Sequence, residues 1–365
     1  MTELRLQGVS KHFGRFVALE HIDLDVGSGE FVVLLGPSGC GKTTVLRLIS
    51  GLEMPSSGKI GFDGADISAV PVRSRHVGMV AQQHGLFPHM NVEDNIAFGL
   101  KVRRLADADI RRRVDDILDT VQLKPFRHRF PAQLSGGQMQ RVAIARTLVT
   151  EPSVLLLDEP FASLDTGLRV ELRGFIRDLQ KRTGITTVFV THDQAEAFEL
   201  ADRVAVLLDG RLRQFDAPET VYHRPCSLDV ARFLNVPNIF DATVGEGNRL
   251  ILAPGKPDLA CPRQLAPGDK VTGMVHSECV RLSTEIDPGR SNAVAGVIRS
   301  AAFQGASVSY SVVAGGTEFR VIEHSTRRLA PGTQVFLYIP AEHIWLFPSG
   351  SDEFGQINTD FEVTE

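Results

Sequence analysis

The chain has 365 residues, 43% apolar and 23% charged, with a net charge of -5. That length exceeds a usual single domain and the composition is that of a folded protein, so two domains with their own cores are expected and disorder is excluded. The acidic balance argues against nucleic-acid binding by bulk charge, and Arg103-Arg104 and Arg111-Arg112-Arg113 read as solvated helix faces.

No apolar run approaches the roughly 18 residues of a spanning helix, and the N-terminus opens on polar–apolar alternation rather than on a signal peptide. Cys40, Cys226, Cys261 and Cys279 are scattered without metal-ligand spacing. Together these predict a soluble chain that is not exported and stays in a reducing compartment, the cytoplasm.

Residues 2–7 and 22–26 alternate as strands, with Lys11-His12-Phe13-Gly14-Arg15-Phe16 between them. Phe13, in preference to Phe16, is the ring expected to fold back beside the glycine-rich stretch Gly36 to Thr44, whose spacing is that of a phosphate-binding loop, and to stack on a nucleotide base there. The alternative is that both rings are strand-end core.

The apolar run Phe31 to Leu35 leads into Gly36-Pro37-Ser38-Gly39-Cys40-Gly41-Lys42-Thr43-Thr44, and a helical pattern follows. This is a phosphate-binding loop, because glycines turn successive backbone N–H groups toward one point and the helix adds its positive N-terminus. Lys42 is expected on the β and γ phosphates, and the Thr43 hydroxyl at a Mg²⁺ position. The same helix end is expected to favour the Cys40 thiolate, so that alkylation inhibits and MgATP protects.

Short strands follow at Lys59 to Phe62 and Val77 to Val80, the latter running into Gln82. Gln82 suits a sensor that reaches a metal or a water beside the γ phosphate, although a polar residue there is also how a loop begins. Residues 91–123 read as helical, with an amphipathic pattern over 107–121. Leu134-Ser135-Gly136-Gly137-Gln138 then opens a helix running to about Val149. Ser135 is a good N-cap, while Gly136 and Gly137 cost helix stability and leave the backbone open to close approach, which makes a second anion site.

Val154 to Leu157 is a continuous apolar run, as a parallel strand buried on both faces requires, and it stops at Asp158-Glu159. Asp158 is the expected Mg²⁺ residue and Glu159 the general base, against the plainer alternative of a polar turn. A second buried strand, Thr186 to Val190, ends at Thr191-His192-Asp193, so His192 falls at the same sheet edge. Past Asn235-Val236-Pro237-Asn238 the pattern shifts to short alternating runs broken by Gly and Pro, an all-β signature. Within it Ala266-Pro267-Gly268 through Leu282 aligns without gaps on Ala330-Pro331-Gly332 through Leu346, and each half is expected to form one small β unit.

Phosphate loop, Gln82, Leu134 to Gln138, Asp158-Glu159, Ser163-Leu164-Asp165 and His192, in that order, resemble the ATP-binding cassette (ABC) family over about residues 1 to 235. The resemblance implies an α/β P-loop ATPase, an ABC cassette with a helical subdomain at about 84–150, followed over 236–365 by a small all-β, OB-like domain of the TOBE type. It implies ATP and Mg²⁺ as cofactors, with Thr43, Gln82 and Asp158 at the metal. It implies a head-to-tail homodimer in which Ser135, Gly136, Gly137 and Gln138 reach in trans the ATP held by Gly36 to Thr44 of the other copy. His192 would hold the γ phosphate and water beside Glu159, and Asp165 would tie the two sites together.

By the same resemblance the chain is the ATPase subunit of an importer, peripheral on the cytoplasmic side of the inner membrane. It would work under two transmembrane permease subunits that Gly85 to Met90 contact, with a periplasmic or extracellular solute-binding protein and no nucleic acid. The solute expected is a polyamine (spermidine or putrescine) or ferric iron, with sugar, phosphonate or oxyanion uptake as alternatives. Two rivals are a soluble cassette acting on nucleic acid or ribosomes and a slow regulatory ATPase. Ala162 and Met139 depart from the family's commoner residues without touching the chemistry. Val275-His276-Ser277-Glu278 stands where relatives often have Ile-Arg-Pro-Glu, which puts an effector role for that Arg in doubt. The tail either only strengthens dimerisation or also senses a ligand.

Overall fold

A computed structural model describes residues 2–162, 164–252, 258–287 and 292–348, and Ser163 lies outside them. The chain divides into two compact units, Met1–Val221 and Tyr222–Glu365.

The first unit opens with β1 (Leu4–Phe13) and β2 (Phe16–Val26), followed by β3 (Phe31–Leu35) and α1 (Lys42–Ser50). Next come β4 (Ser57–Phe62), β5 (Ala65–Asp66), β6 (Val77–Val80), α2 (Val92–Val102), α3 (Asp107–Thr120) and α4 (Gly136–Leu148). The remainder is β7 (Val154–Asp158), α5 (Thr166–Thr183), β8 (Thr186–Thr191), α6 (Gln194–Leu200), β9 (Arg203–Leu208) and β10 (Arg211–Asp216). Helix α7 (Pro218–His223) spans the division between the units.

Two sheets share the apolar core. One is antiparallel, in the order β2-β1-β4-β5; the other runs β10-β9-β3-β8-β7-β6, parallel except for β10. Strands β3, β7 and β8 are buried at every residue, which is why their sequences run apolar without alternation. Strand β1 has a solvent face and alternates over its first half.

The helical stretch expected over 91–123 is two helices. The break falls at residues 103–106, where Arg104 takes a left-handed φ of 58°. It lets Ile110, Val114 and Leu118, one turn apart on α3, face Ile96 and Leu100 of α2 in a separate small core with Val142 and Ala145 of α4. One straight helix would carry these two faces apart.

The second unit continues with α8 (Leu228–Phe233), β11 (Asn238–Gly245), β12 (Arg249–Ile251), β13 (Asp258–Ala260), β14 (Lys270–Val275) and β15 (Arg281–Ser283). It ends with β16 (Ala293–Phe303), β17 (Ser307–Ala314), β18 (Thr317–His324), β19 (Gln334–Tyr338) and β20 (Trp345–Pro348). The composition change near 236 marks where strands begin, whereas α8 already belongs to this unit.

Its sheets are β13-β12-β11-β14-β20 and β15-β19-β16-β17-β18, all antiparallel around one core that includes Phe240, Val312 and the fully buried Tyr310. The two halves of the repeat are not separate units. Strand β14 of the first half pairs with β20 of the second, and β19 of the second pairs with β15 of the first. Each half completes the other's sheet, so neither can bury its apolar face alone.

Candidate active site

Register places the site. Leu35 pairs with Thr191, Val190 with Asp158, and Leu157 with Val80, so the carboxyl ends of β3, β8, β7 and β6 lie side by side. The residues following those ends are Gly36, His192, Glu159 and Ala81-Gln82. This is the edge at which open parallel sheets bind ligands.

The loop from Gly36 curls over the start of α1, whose N-cap Gly41 has a left-handed φ of 107°. Lys42 is buried, and its ammonium donates to the carbonyls of Gly36 at 2.7 Å and Pro37 at 2.8 Å. The loop therefore holds its own cation. The Thr43 hydroxyl donates to Asp158 Oδ1 at 3.2 Å, and burial raises the Asp158 pKa against that hydrogen bond. A hydroxyl and a carboxylate whose charge is disfavoured by burial, converging beside a phosphate cradle, fit a hard divalent cation.

Glu159 leaves the strand with a left-handed φ of 44°, while its N–H donates to Val190 O at 3.0 Å. That turn aims its carboxylate at His192, with Oε1 at 3.2 Å from Nδ1. A neutral imidazole protonated at Nδ1 donates here and leaves Nε2 free to accept. The His192 side chain is 56% exposed and that of Glu159 20%, so both can be reached from solvent.

Gln82 is exposed in the bend two residues past β6. Phe13 and Phe16 are 45% and 64% exposed, so neither is strand-end core, and Lys11 Nζ lies 4.7 Å from the centre of the Phe13 ring.

Ser135 caps α4 in a reciprocal box: Gln138 N–H donates to Ser135 Oγ at 3.3 Å, and Ser135 N–H to Gln138 Oε1 at 3.0 Å. The glycines between them are explained within the same chain. A Cβ on Gly136 would lie 2.8 Å from Leu164 Cδ2, and one on Gly137 2.8 Å from Leu168 Cδ2. Asp165 caps α5 by accepting from Leu168 N–H at 3.0 Å. The start of α5 is thus packed against the start of α4.

One sequence expectation is corrected. Cys40 is buried, and desolvation pushes its thiol above the usual value despite the charge of Lys42. The cost of burying the anion outweighs the Lys42 charge and the backbone N–H groups that pull the other way. Iodoacetamide is therefore expected to label native Cys40 far more slowly than the exposed Cys226, and at a comparable rate only after denaturation. Mass spectrometry of a time course checks this; equal labelling in the native protein would overturn it.

Sequence reasoning missed the residues that hold 84–91. Asn95, fully buried on α2, accepts from Phe87 N–H at 2.9 Å and donates to the carbonyls of Phe87, Met90 and Asn91. Arg146 on α4 donates to Gly85 O at 2.6 Å and His84 O at 3.1 Å. The available signal was a polar residue inside each helix's apolar pattern.

A phosphate loop, a Thr–Asp pair under it and a Glu–His pair at the same sheet edge define a phosphate-loop nucleotide triphosphatase. Comparison with known proteins carries this further. Residues 19–162 match the family model described as ABC transporter, and residues 273–347 match the TOBE domain. The spermidine/putrescine import ATP-binding protein PotA of Oleidesulfovibrio alaskensis is 46% identical over 312 residues, 84% of each chain. The sulfate/thiosulfate import ATP-binding protein CysA 2 of Rhizobium meliloti is 53% identical over 249 residues, 67% of this chain and 68% of the relative.

Among solved structures, cbiO1 from Clostridium perfringens, part of the cbiONQ ABC transporter complex, superposes with a TM-score of 0.57 at 32% identity, over 64% of this chain and 94% of its own. A dimeric post-hydrolysis state of the ATP-binding cassette MJ0796 with ADP and Pi gives 0.52 at 31% identity, over 59% and 98%. The chain belongs to the ABC family and is an importer ATPase subunit with a C-terminal TOBE domain. Such a subunit acts with membrane permease partners, and among the described residues no helix is long and apolar enough to cross a membrane.

Proposed function

We propose that this subunit drives polyamine uptake as a homodimer beneath two permease subunits, with residues 1–235 as the nucleotide-binding part and 84–150 as its helical docking subdomain. The pairing of Glu159 with His192 at 3.2 Å, beside Thr43 with Asp158, carries the chemistry. Glu159 takes the proton of the attacking water, and His192 holds that water and the γ phosphate. Lys42 and the loop from Gly36 to Thr44 cradle the phosphates, with Phe13 beside the base. Thr43 and Asp158, with Gln82, would hold Mg²⁺, which supplies charge neutralisation on the β and γ phosphates when bound.

Ser135, Gly136, Gly137 and Gln138 serve the ATP of the second copy, and Asp165 links the two sites. Support for this comes from Ser135, which is exposed at the N-terminus of α4 and whose side chain is bonded there only in a reciprocal cap with Gln138 among the described residues. Gly85 to Met90, held by Asn95 and Arg146, is the permease-facing segment, and a solute-binding protein delivers the solute.

Polyamine is favoured because the relative named for spermidine/putrescine matches through 84% of this chain, whereas the sulfate/thiosulfate relative matches over 67%. Sulfate or thiosulfate is the second reading, on the higher identity of 53%. The test is uptake of labelled putrescine, spermidine, sulfate, thiosulfate and ferric iron in cells lacking this subunit. Polyamine uptake is expected to be lost and then restored by the wild-type chain. Restoration of sulfate uptake alone would overturn the polyamine assignment.

A further inference from the structure

The His192 ring is hydrogen-bonded to Glu159 and 56% exposed, so the turn that carries it has a large part in placing it. Both ends of that turn are tied down. Thr191, the last residue of β8 and 2% exposed, donates its hydroxyl to Glu196 Oε2 at 2.5 Å. The Thr191 hydroxyl oxygen accepts the N–H of Asp193 at 3.0 Å. Asp193 Oδ1 in turn accepts from Ala195 N–H at 2.8 Å and Glu196 N–H at 3.2 Å, capping α6. The turn bearing His192 is thereby closed at both ends, and Glu196, 4% exposed, is its inner anchor.

A carboxyl group in this position is not needed to fill space. Burial raises its pKa, and nearby Asp193 adds to that, while the Thr191 hydrogen bond and the charges of Arg169 and Arg173 on α5 oppose it. Arg173 is itself paired with Glu199 at 2.8 Å, and Arg169 donates to Leu164 O at 2.9 Å, just ahead of Asp165. The charged and titratable groups around the anchor are thus Asp193, Arg169, Arg173 and Glu199, with His192 and Glu159 beyond the turn. An isosteric apolar residue would avoid the desolvation cost but would leave the buried Thr191 hydroxyl without this acceptor.

We propose that Glu196 is a positioning residue for ATP hydrolysis, holding His192 in register with Glu159 through the Thr191 hydroxyl. The inference rests on Glu159 and His192 being the hydrolytic pair. Only an acceptor at residue 196 keeps the Thr191 hydroxyl as donor. A neutral carbonyl at residue 196 still accepts from the Thr191 hydroxyl, whereas an alkyl side chain does not.

The test is steady-state ATP hydrolysis by the full chain, with Glu196→Ala, Glu196→Gln and Thr191→Val. Glu196→Ala and Thr191→Val are expected to lower kcat about tenfold with KM for ATP little changed, because each breaks a buried hydrogen bond remote from the nucleotide. Glu196→Gln, which keeps a carbonyl acceptor, should recover most of kcat. Wild-type kcat in either of the first two variants, or no recovery with Gln in a protein of wild-type melting temperature, would each overturn the proposal. Glu159→Gln is run alongside. If it turns over normally, the hydrolytic pair is misassigned; if it is inactive while the Glu196 variants behave as wild type, only the role of Glu196 fails.

Discussion

Glu159→Gln is expected to lower steady-state ATP turnover about a thousandfold while leaving the affinity for ATP within a factor of about three. The substitution is nearly isosteric and its amide oxygen can still accept from Nδ1 of His192, so the turn at the end of β7 keeps its shape. The phosphate cradle depends on other groups: Lys42 on the Gly36 and Pro37 carbonyls, and Thr43 on Asp158. Only the proton acceptor is lost. Phosphate-release kinetics and equilibrium binding of a fluorescent ATP analogue separate the two effects. If the proposed head-to-tail dimer forms, this variant should also accumulate as an ATP-dependent dimer on size-exclusion chromatography with light scattering. Turnover near wild type would remove Glu159 from the base role.

The sheet edge was readable because its signals are local. Phe31 to Leu35, Val154 to Leu157 and Thr186 to Val190 run apolar since parallel strands are buried on both faces, and each ends where the polar chemistry begins. Chain order alone then predicts that Gly36, Glu159 and His192 converge, and the register brings them together. What stayed hidden depends on partners far along the chain. Asn95 and Glu196 are polar residues on the buried faces of their helices, and what each of them holds lies in a loop or a strand end that helix periodicity does not describe.

Pairing within the tail was hidden for a related reason. The repeat 266–282 and 330–346 alternates equally well whether β14 pairs with β15 or with β20, because alternation specifies a face and not a neighbour. Gly136 and Gly137 were read as clearing space for an anion. Leu164 and Leu168 of the same chain use that space, so those glycines have a packing requirement besides any ligand.

Gly36→Ala is expected to destabilise the first unit and abolish ATP binding together, whereas Gly39→Ala should be mild. At Gly36 an added Cβ would lie 2.2 Å from the carbonyl oxygen of Leu207 in β9 and 2.7 Å from Cys40 Sγ. A side chain could swing aside, but the Leu207 carbonyl belongs to a strand paired with β3, so the end of β3 or β9 has to move. Such overpacking costs on the order of 3 kcal/mol, which lowers the melting temperature by about 6–12 °C for a unit of this size. The same movement displaces the Gly36 carbonyl to which Lys42 donates at 2.7 Å, so the phosphate-binding ammonium loses its support. Gly39 has a φ of 84° and open space where its Cβ would be, so alanine there costs only about 1 kcal/mol of backbone strain. Differential scanning fluorimetry with and without MgATP reads both effects. The glycine at the strand end is thus expected to matter more than the glycine at the loop's crown, because the first is closed in by backbone and the second faces open space. Equal melting temperatures for the two variants, or nucleotide-induced stabilisation of Gly36→Ala matching wild type, would show that β3 and β9 can separate at that point without disturbing the loop.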